Sequence, residues 1–372
     1  MEENNYFPLG TAIDKAFCNR QEERLRLLAN INAGRHTLII SPRRYGKTSL
    51  ALQVAADSKK AFGKVDFLTV SDEYSANKII LDAVGQAVAS MSSLQQKTLT
   101  RISKWLAVFN PKIILNEEGF KIELTPTLKP QQSIIEALEI LDKIAAKEGK
   151  KAILLFDEFQ QLATLKSSQV LEASIRNVGQ SSKHSAYIFS GSNRHMLAMM
   201  FDDSTRPLYH LCDRISLNRI ESKEYKKFIQ NAATIKWKST LEAEIIEEIL
   251  FLTNNHPYYV NVLCSRLWTQ AKKPLKEQIR LVWSKYVEEE HYRLATEISA
   301  LSPNQRAILM GLAIMPTSEP TSQQFLQRVR LSAASANQAV HVLLERDFLF
   351  RDSENLLRIL DAAMEAFLQQ GH

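Results

Sequence analysis

The sequence predicts an α/β protein whose parallel sheet is covered by helices on both faces. A strand-free helical segment and a small module of three helices and a hairpin follow it. Three observations support this. Through the first 220 residues, apolar runs of strand type alternate with helical periodicity, the pattern of strands paired in parallel and buried on both faces. A loop containing glycine and proline separates the first run from a helix, and a second run about a hundred residues later ends in two acids. Beyond residue 221 the strand signals stop until close to the C-terminus.

In chain order, Glu22 to Ala33 has the spacing of an amphipathic helix, and His36 to Ile40 is a short strand-type run. A helix is expected from Lys47, a strand over Val65 to Val70, and a helix carrying Ile79, Ile80, Ala83, Val84 and Ala87 on one face. Lys112 to Thr125 alternates around Glu117-Glu118-Gly119, which predicts a hairpin inserted near 112–125. Gln131 to Glu148 is helical and stops at Gly149. Ala152 to Phe156, Ala186 to Phe189 and Ile215 to Leu217 supply three further strands. The expected domains are therefore 1–220, a helical segment 221–298 punctuated by Pro257 and Pro274, and a module 299–372. In that module Ser302-Pro303 opens one helix, Thr321-Ser322 caps a second, and Ser332 to Arg346 forms a third. A hairpin over Phe348 to Ile359 completes a winged-helix pattern.

Composition narrows the class. Cys18, Cys212 and Cys264 are far apart without CxxC spacing, so neither a disulfide framework nor a zinc site is expected. The polar, acidic start lacks the basic and apolar regions of a secretion signal, and no apolar run reaches the ~20 residues of a bilayer span. A cytoplasmic protein without a membrane partner is expected. The net charge of +6 permits weak attraction to nucleic acid, but lysines interleave with Glu, as over 223–227, in the manner of a solvated face.

Ser41-Pro42-Arg43-Arg44-Tyr45-Gly46-Lys47-Thr48-Ser49 lies between a strand and a helix, where backbone N–H groups and the helix N-terminus can surround phosphates. Lys47 adds a point charge toward the β- and γ-phosphates, and the Thr48 hydroxyl can bind Mg²⁺. Ser41 stands where the pattern asks for glycine, which it can replace if its φ stays negative. Arg43 and Arg44 can reach phosphate or pair with a nearby carboxylate. The run Ile153 to Phe156 then ends in Asp157 and Glu158. Asp157 is expected in the Mg²⁺ shell and Glu158 as the group polarising the attacking water. A buried strand that merely ends in solvated acids is the alternative, but two motifs in the right order argue against it. A polar residue at a neighbouring strand tip should orient that water. Within Ser190-Gly191-Ser192-Asn193, Ser192 and Asn193 are the candidates.

Together with 17–22 (FCNRQE), Ile175-Arg176-Asn177, YIFSGSNRHML and RPLYHLC, these motifs resemble the archaeal and bacterial ATPases of the STAND clade. These are AAA+ relatives of the origin-recognition ATPases, and the resemblance spans roughly residues 7–365. It implies a P-loop NTPase domain, a helical lid and a C-terminal winged helix. It also implies that Asn19 and Arg20 lie near the adenine and ribose, and that Pro257 packs near the base. Asn255 replaces the family's usual glycine, and no arginine stands at the lid's second sensor position. Arg206 and Arg214 precede the fifth strand, where relatives often carry a trans-acting finger.

The leading expectation is a molecular switch that binds and slowly hydrolyses ATP, its nucleotide state controlling a protein partner or a homo-oligomer. The alternative is a DNA-associated ATPase using its winged helix. The third helix of that module has only His341 and Arg346 as basic residues, with Asn337 and Gln338 toward its start. A nucleotide-binding scaffold without turnover is a third possibility, and the paired acids argue against it.

Overall fold

The computed structural model describes residues 6–91, 96–116, 119–352 and 354–371. The expected turn at Glu117-Glu118 lies outside the described residues. Two compact units emerge, Arg20–Asn218 and a second formed by Met1–Asn19 with Arg219–His372.

The Arg20–Asn218 unit holds strands β1 (Thr37–Ile40), β2 (Ala61–Asp66), β3 (Lys112–Asn116), β4 (Gly119–Glu123), β5 (Ala152–Asp157), β6 (Ser185–Gly191) and β7 (Asp213–Ser216). Five of them form one parallel sheet in the order β2-β5-β6-β1-β7, while β3 and β4 pair as the expected antiparallel hairpin. Every residue of β5 and β6 is buried, so both faces of the sheet's centre are covered. The helices of this unit are α1 (Gln21–Asn32), α2 (Lys47–Ser58), α3 (Glu73–Met91), α4 (Gln96–Trp105), α5 (Pro130–Lys147), α6 (Ser168–Gly179) and α7 (Arg194–Asp202). Helix α5 starts on Pro130, whose missing N–H costs nothing in a first turn. It ends before Gly149, which takes a left-handed φ of 63°. A core of Phe67, Phe156, Phe159, Phe189 and Phe201 rings packs within 6.2 Å of one another in successive pairs.

The second strand differs from expectation. It runs over Ala61–Asp66, and Phe67–Thr69 forms a 3₁₀ turn where strand was expected. The Asp66 carboxylate accepts the Leu68 N–H at 3.1 Å, and this local bond turns the chain out of the sheet.

The second unit contains α8 (Ser222–Trp237), α9 (Ala243–Leu252), α10 (Pro257–Leu267), α11 (Lys276–Glu289), α12 (His291–Ser299), α13 (Pro303–Ile314), α14 (Gln323–Val329), α15 (Ala333–Glu345), β8 (Leu349–Arg351), β9 (Leu357–Ile359) and α16 (Ala362–Gln369). Ser302 and Gln305 form a reciprocal capping box at the start of α13. Helix α16 was not anticipated. Asp361 caps it by accepting from Ala363 and Met364 N–H groups, and Phe367 is buried on its inner face. One hydrophobic core runs from Tyr225 and Ile249 through Val287 and Leu294 to Leu343 and Phe367, so the helical segment and the winged helix are fused. Among the described residues no helix is long and apolar enough to cross a membrane.

Candidate nucleotide site

The loop between β1 and α2 is shaped by a few backbone states. Gly46, at φ 87°, is the residue before α2, and the left-handed turn there suits glycine. Arg44 is also left-handed, at φ 65°, whereas Ser41 is not among the positive-φ residues. Ser41, Pro42, Tyr45, Lys47 and Ser49 are buried, Gly46 and Thr48 half-buried, and Arg43 and Arg44 exposed. The Lys47 ammonium donates to the Ser41 and Pro42 carbonyls at 3.1 and 3.0 Å. From outside the loop, the buried Arg20 guanidinium donates to the Tyr45 carbonyl at 3.2 Å and to Glu23 at 3.1 Å.

The tip of β5 stands beside this loop. Thr48 Oγ1 donates to Asp157 Oδ2 at 2.8 Å, and Ser190 Oγ donates to Oδ1 at 2.7 Å. Lys64, on the neighbouring strand β2, places its ammonium 3.3 Å from the same Oδ2. Burial pulls the Lys64 ammonium down, but Asp157 and Asp66 outweigh it and leave it above the ordinary lysine value. A hydroxyl and a carboxylate converging in this way are hard oxygen donors, the set that suits Mg²⁺.

Glu158 follows in a left-handed conformation, φ 49°. Its Oε2 accepts from Ser192 Oγ at 2.8 Å, Ser192 N at 3.3 Å and Gln160 Nε2 at 2.6 Å. These bonds fix the carboxylate's direction, a prerequisite for a general base.

The other expected site residues fall as follows. Asn193 caps α7, accepting from Met196 N at 3.0 Å, so its side chain carries a helix end instead of facing Glu158. Arg206 is ion-paired with the fully buried Glu172 of α6. Burial raises that carboxyl to about 7 despite the Arg206 charge. Arg214 pairs with Asp202 and lines a cleft of about 260 Å³ with Phe201, Tyr209 and Cys212. Arg176, from the same helix as Glu172, donates to the carbonyls of Pro207 and Tyr209 and so ties Ile175-Arg176 to the RPLYHLC segment. Asn19 and Pro257 belong to the second unit. Pro257 opens α10, preceded by Asn254 and Asn255 at φ 52° and 54°, a left-handed pair in which asparagine does the work of glycine.

Three contacts were missed from the sequence: Ser190 on Asp157, Gln160 on Glu158, and Lys64. Ser190 belongs to the Ser190–Asn193 stretch, but only the β5–β6 register, which pairs Phe156 with Phe189, brings it against Asp157. Lys64 is two residues before Asp66, which faces Asp157 across β2–β5.

The phosphate loop after β1 and the acid-tipped strand β5, separated from β1 by β6 in the sheet order, define a P-loop ATPase of AAA+ type with a C-terminal winged helix. The chain belongs to the family of ATPase domains found predominantly in Archaea, whose profile matches residues 17–263, and it is accordingly an ATP hydrolase. A probable winged helix domain matches residues 292–370. Among solved structures it is similar to the Walker-type ATPase PABY2304 of Pyrococcus abyssi, with 18% identity, TM-score 0.67, and 98% and 99% of the two chains covered. It is similar too to the Aeropyrum pernix ORC2 protein in its ADPNP–ADP complexes, with 11% identity, TM-score 0.56, and 100% and 98% covered. No curated protein matches significantly.

Proposed function

We propose that the chain is an ATP-dependent molecular switch in which Mg-ATP binding and slow hydrolysis in the Arg20–Asn218 unit change what the second unit presents to a partner, either another protein or a further copy. The observation that carries this reading is the single core shared by the helical segment and the winged helix. Arg219 donates to the carbonyls of Asn254 at 2.7 Å and Leu360 at 3.0 Å, and Asn254 bonds Glu365. A body tied in this way responds to nucleotide as a whole. Thr48 and Asp157 would hold Mg²⁺, which supplies charge neutralisation at the phosphates. Lys47 places its ammonium on the phosphates, and Glu158, aimed by Ser192 and Gln160, takes the proton of the attacking water. A cytoplasmic location accords with this activity.

The second reading is a DNA-associated ATPase. It is favoured by Arg328 and Arg330, exposed at the end of α14 just before the Ser332 cap of α15, with Asn337 and Gln338 exposed on α15 itself. These arginines give the start of that helix more positive charge than its own residues do.

The test uses Glu158→Gln, which keeps shape while removing the base. It should bind ATP with parental affinity and hydrolyse it on the order of 10²–10⁴-fold more slowly. Hydrogen exchange of this variant with ATP, compared with the parent with ADP, should differ around Arg219, Asn254 and Leu360. Parental turnover would remove Glu158 from its role, and identical exchange in both states would sink the switch.

A further inference from the structure

Lys64 has no part in the reaction as described, yet it stands at the cation seat. Its ammonium is 3.3 Å from Asp157 Oδ2, the oxygen that also accepts the Thr48 hydroxyl. It is at the same time 3.1 Å from Asp66 Oδ2. Asp66 is itself held in place, because its Oδ1 accepts the Leu68 N–H and its backbone faces Asp157 across β2–β5. Asp157 is only 5% exposed. A carboxylate so buried needs a compensating charge, and Lys64 supplies one.

We propose that Lys64 stands in for the divalent cation, neutralising Asp157 in the nucleotide-free protein and passing to Asp66 when Mg²⁺ and nucleotide enter. The inference rests on the Mg²⁺ reading of Thr48 and Asp157 given above. Its physical basis is that two cations cannot share one carboxylate oxygen without strong repulsion. Mg²⁺ and Lys64 therefore exclude one another from Oδ2. Asp66 lets Lys64 withdraw without losing an ionic partner, and a compact ammonium on a flexible stem suits such an exchange better than a guanidinium fork. Lys64 thereby sets the Mg²⁺ concentration at which nucleotide is captured. Asp66 is the alternative berth that keeps this threshold low.

The experiment measures binding of a fluorescent ADP analogue to the full chain across a Mg²⁺ titration. Lys64→Met should lower the half-saturating Mg²⁺ concentration, and Asp66→Asn should raise it, each by roughly tenfold, the scale of one partly screened charge contact. Asparagine keeps the oxygen that caps Leu68, so Asp66→Asn gives an answer even if Lys64→Met folds poorly. In EDTA without nucleotide, Lys64→Met should melt below the parent, with the gap closing in Mg-ADP. If the parent binds with clear Mg²⁺ dependence but either variant leaves the threshold unchanged or moves it the other way, the role of Lys64 is overturned and the site stands. If the parent shows no Mg²⁺ dependence, the Mg²⁺ reading falls and this inference with it.

Discussion

Glu172 shows how a single buried group can tune the stability of the nucleotide unit. It lies on the inner face of α6 at 0% exposure, joined to Arg206, and its Oε2 finds no hydrogen-bond partner among the described residues. Burial raises its pKa from 4.5 to about 7, with Arg206 only partly opposing the shift. The folded state therefore binds a proton more tightly than the unfolded chain does. Stability from this site is complete below pH 4.5 and is lost as pH rises toward 7, by at most about 1.4 kcal/mol per pH unit. Glu172→Gln should remove that fall while keeping a hydrogen bond to Arg206. In paired urea titrations at pH 5 and pH 8, the parent should lose roughly 2–3 kcal/mol more than the variant. Equal losses would mean that Glu172 is ionised throughout. The same pair bears on the finger assignment: a guanidinium holding Glu172 anchors its own loop, which leaves Arg214 the more exposed of the two candidate arginines.

At the scale of elements, two glycines set how closely α3 approaches its neighbours. A Cβ on Gly63 of β2 would lie 2.0 Å from the Ala83 carbonyl oxygen, and one on Gly85 of α3 would lie 2.2 Å from that of Ile122 on β4. Backbone occupies both spaces, so α3 is wedged between sheet and hairpin with no room for a methyl group. Gly63→Ala should therefore destabilise the unit by about 1–3 kcal/mol, as overpacking does, read as a lower urea midpoint with secondary structure retained. An unchanged midpoint would mean that α3 can slide. This packing also explains what the sequence conveyed and what it did not. Helix α3 was legible because Ile80, Ala83, Val84 and Ala87 repeat at helical spacing and are all buried. The start of β2 was not, because Ala61, Gly63 and Lys64 lack β-branching and strand there is imposed by pairing with β5. Helix α16 is hidden in the sequence because its cap, Asp361, stands only two residues past the end of β9 and the last apolar residues merge with the hairpin's. Within the site, Lys47, Thr48, Asp157 and Glu158 were legible from motifs contiguous in sequence. Ser190, Gln160 and Lys64 were not, since each reaches the acids only through strand register or a local turn.

For the whole molecule, the question is what the fused second unit does. Its core joins α11 and α12 to α16 through Val287, Leu294 and Phe367, so the winged helix is not a bead on a linker. Helix α15 puts Ala336, Ala339, Val340 and Leu343 into that core, leaving Asn337, Gln338 and His341 outward. His341 faces Glu345 at 3.4 Å, which further thins the positive charge of the outward face. The exposed arginines 328 and 330 are the main phosphate-holding charge near its start. Two such contacts are few beside the six to ten that give strong, steeply salt-dependent binding. Fluorescence anisotropy with duplex DNA should thus give a Kd at or above ~10⁻⁶ M near physiological salt, with little dependence on sequence. Arg328→Glu with Arg330→Glu should abolish even that binding while leaving ATP turnover without DNA unchanged. Tight binding to one sequence, lost on changing Asn337 and Gln338, would instead mean base-edge readout. The fused unit would then be a DNA reader coupled to nucleotide, and the DNA-associated ATPase would displace the protein-directed switch.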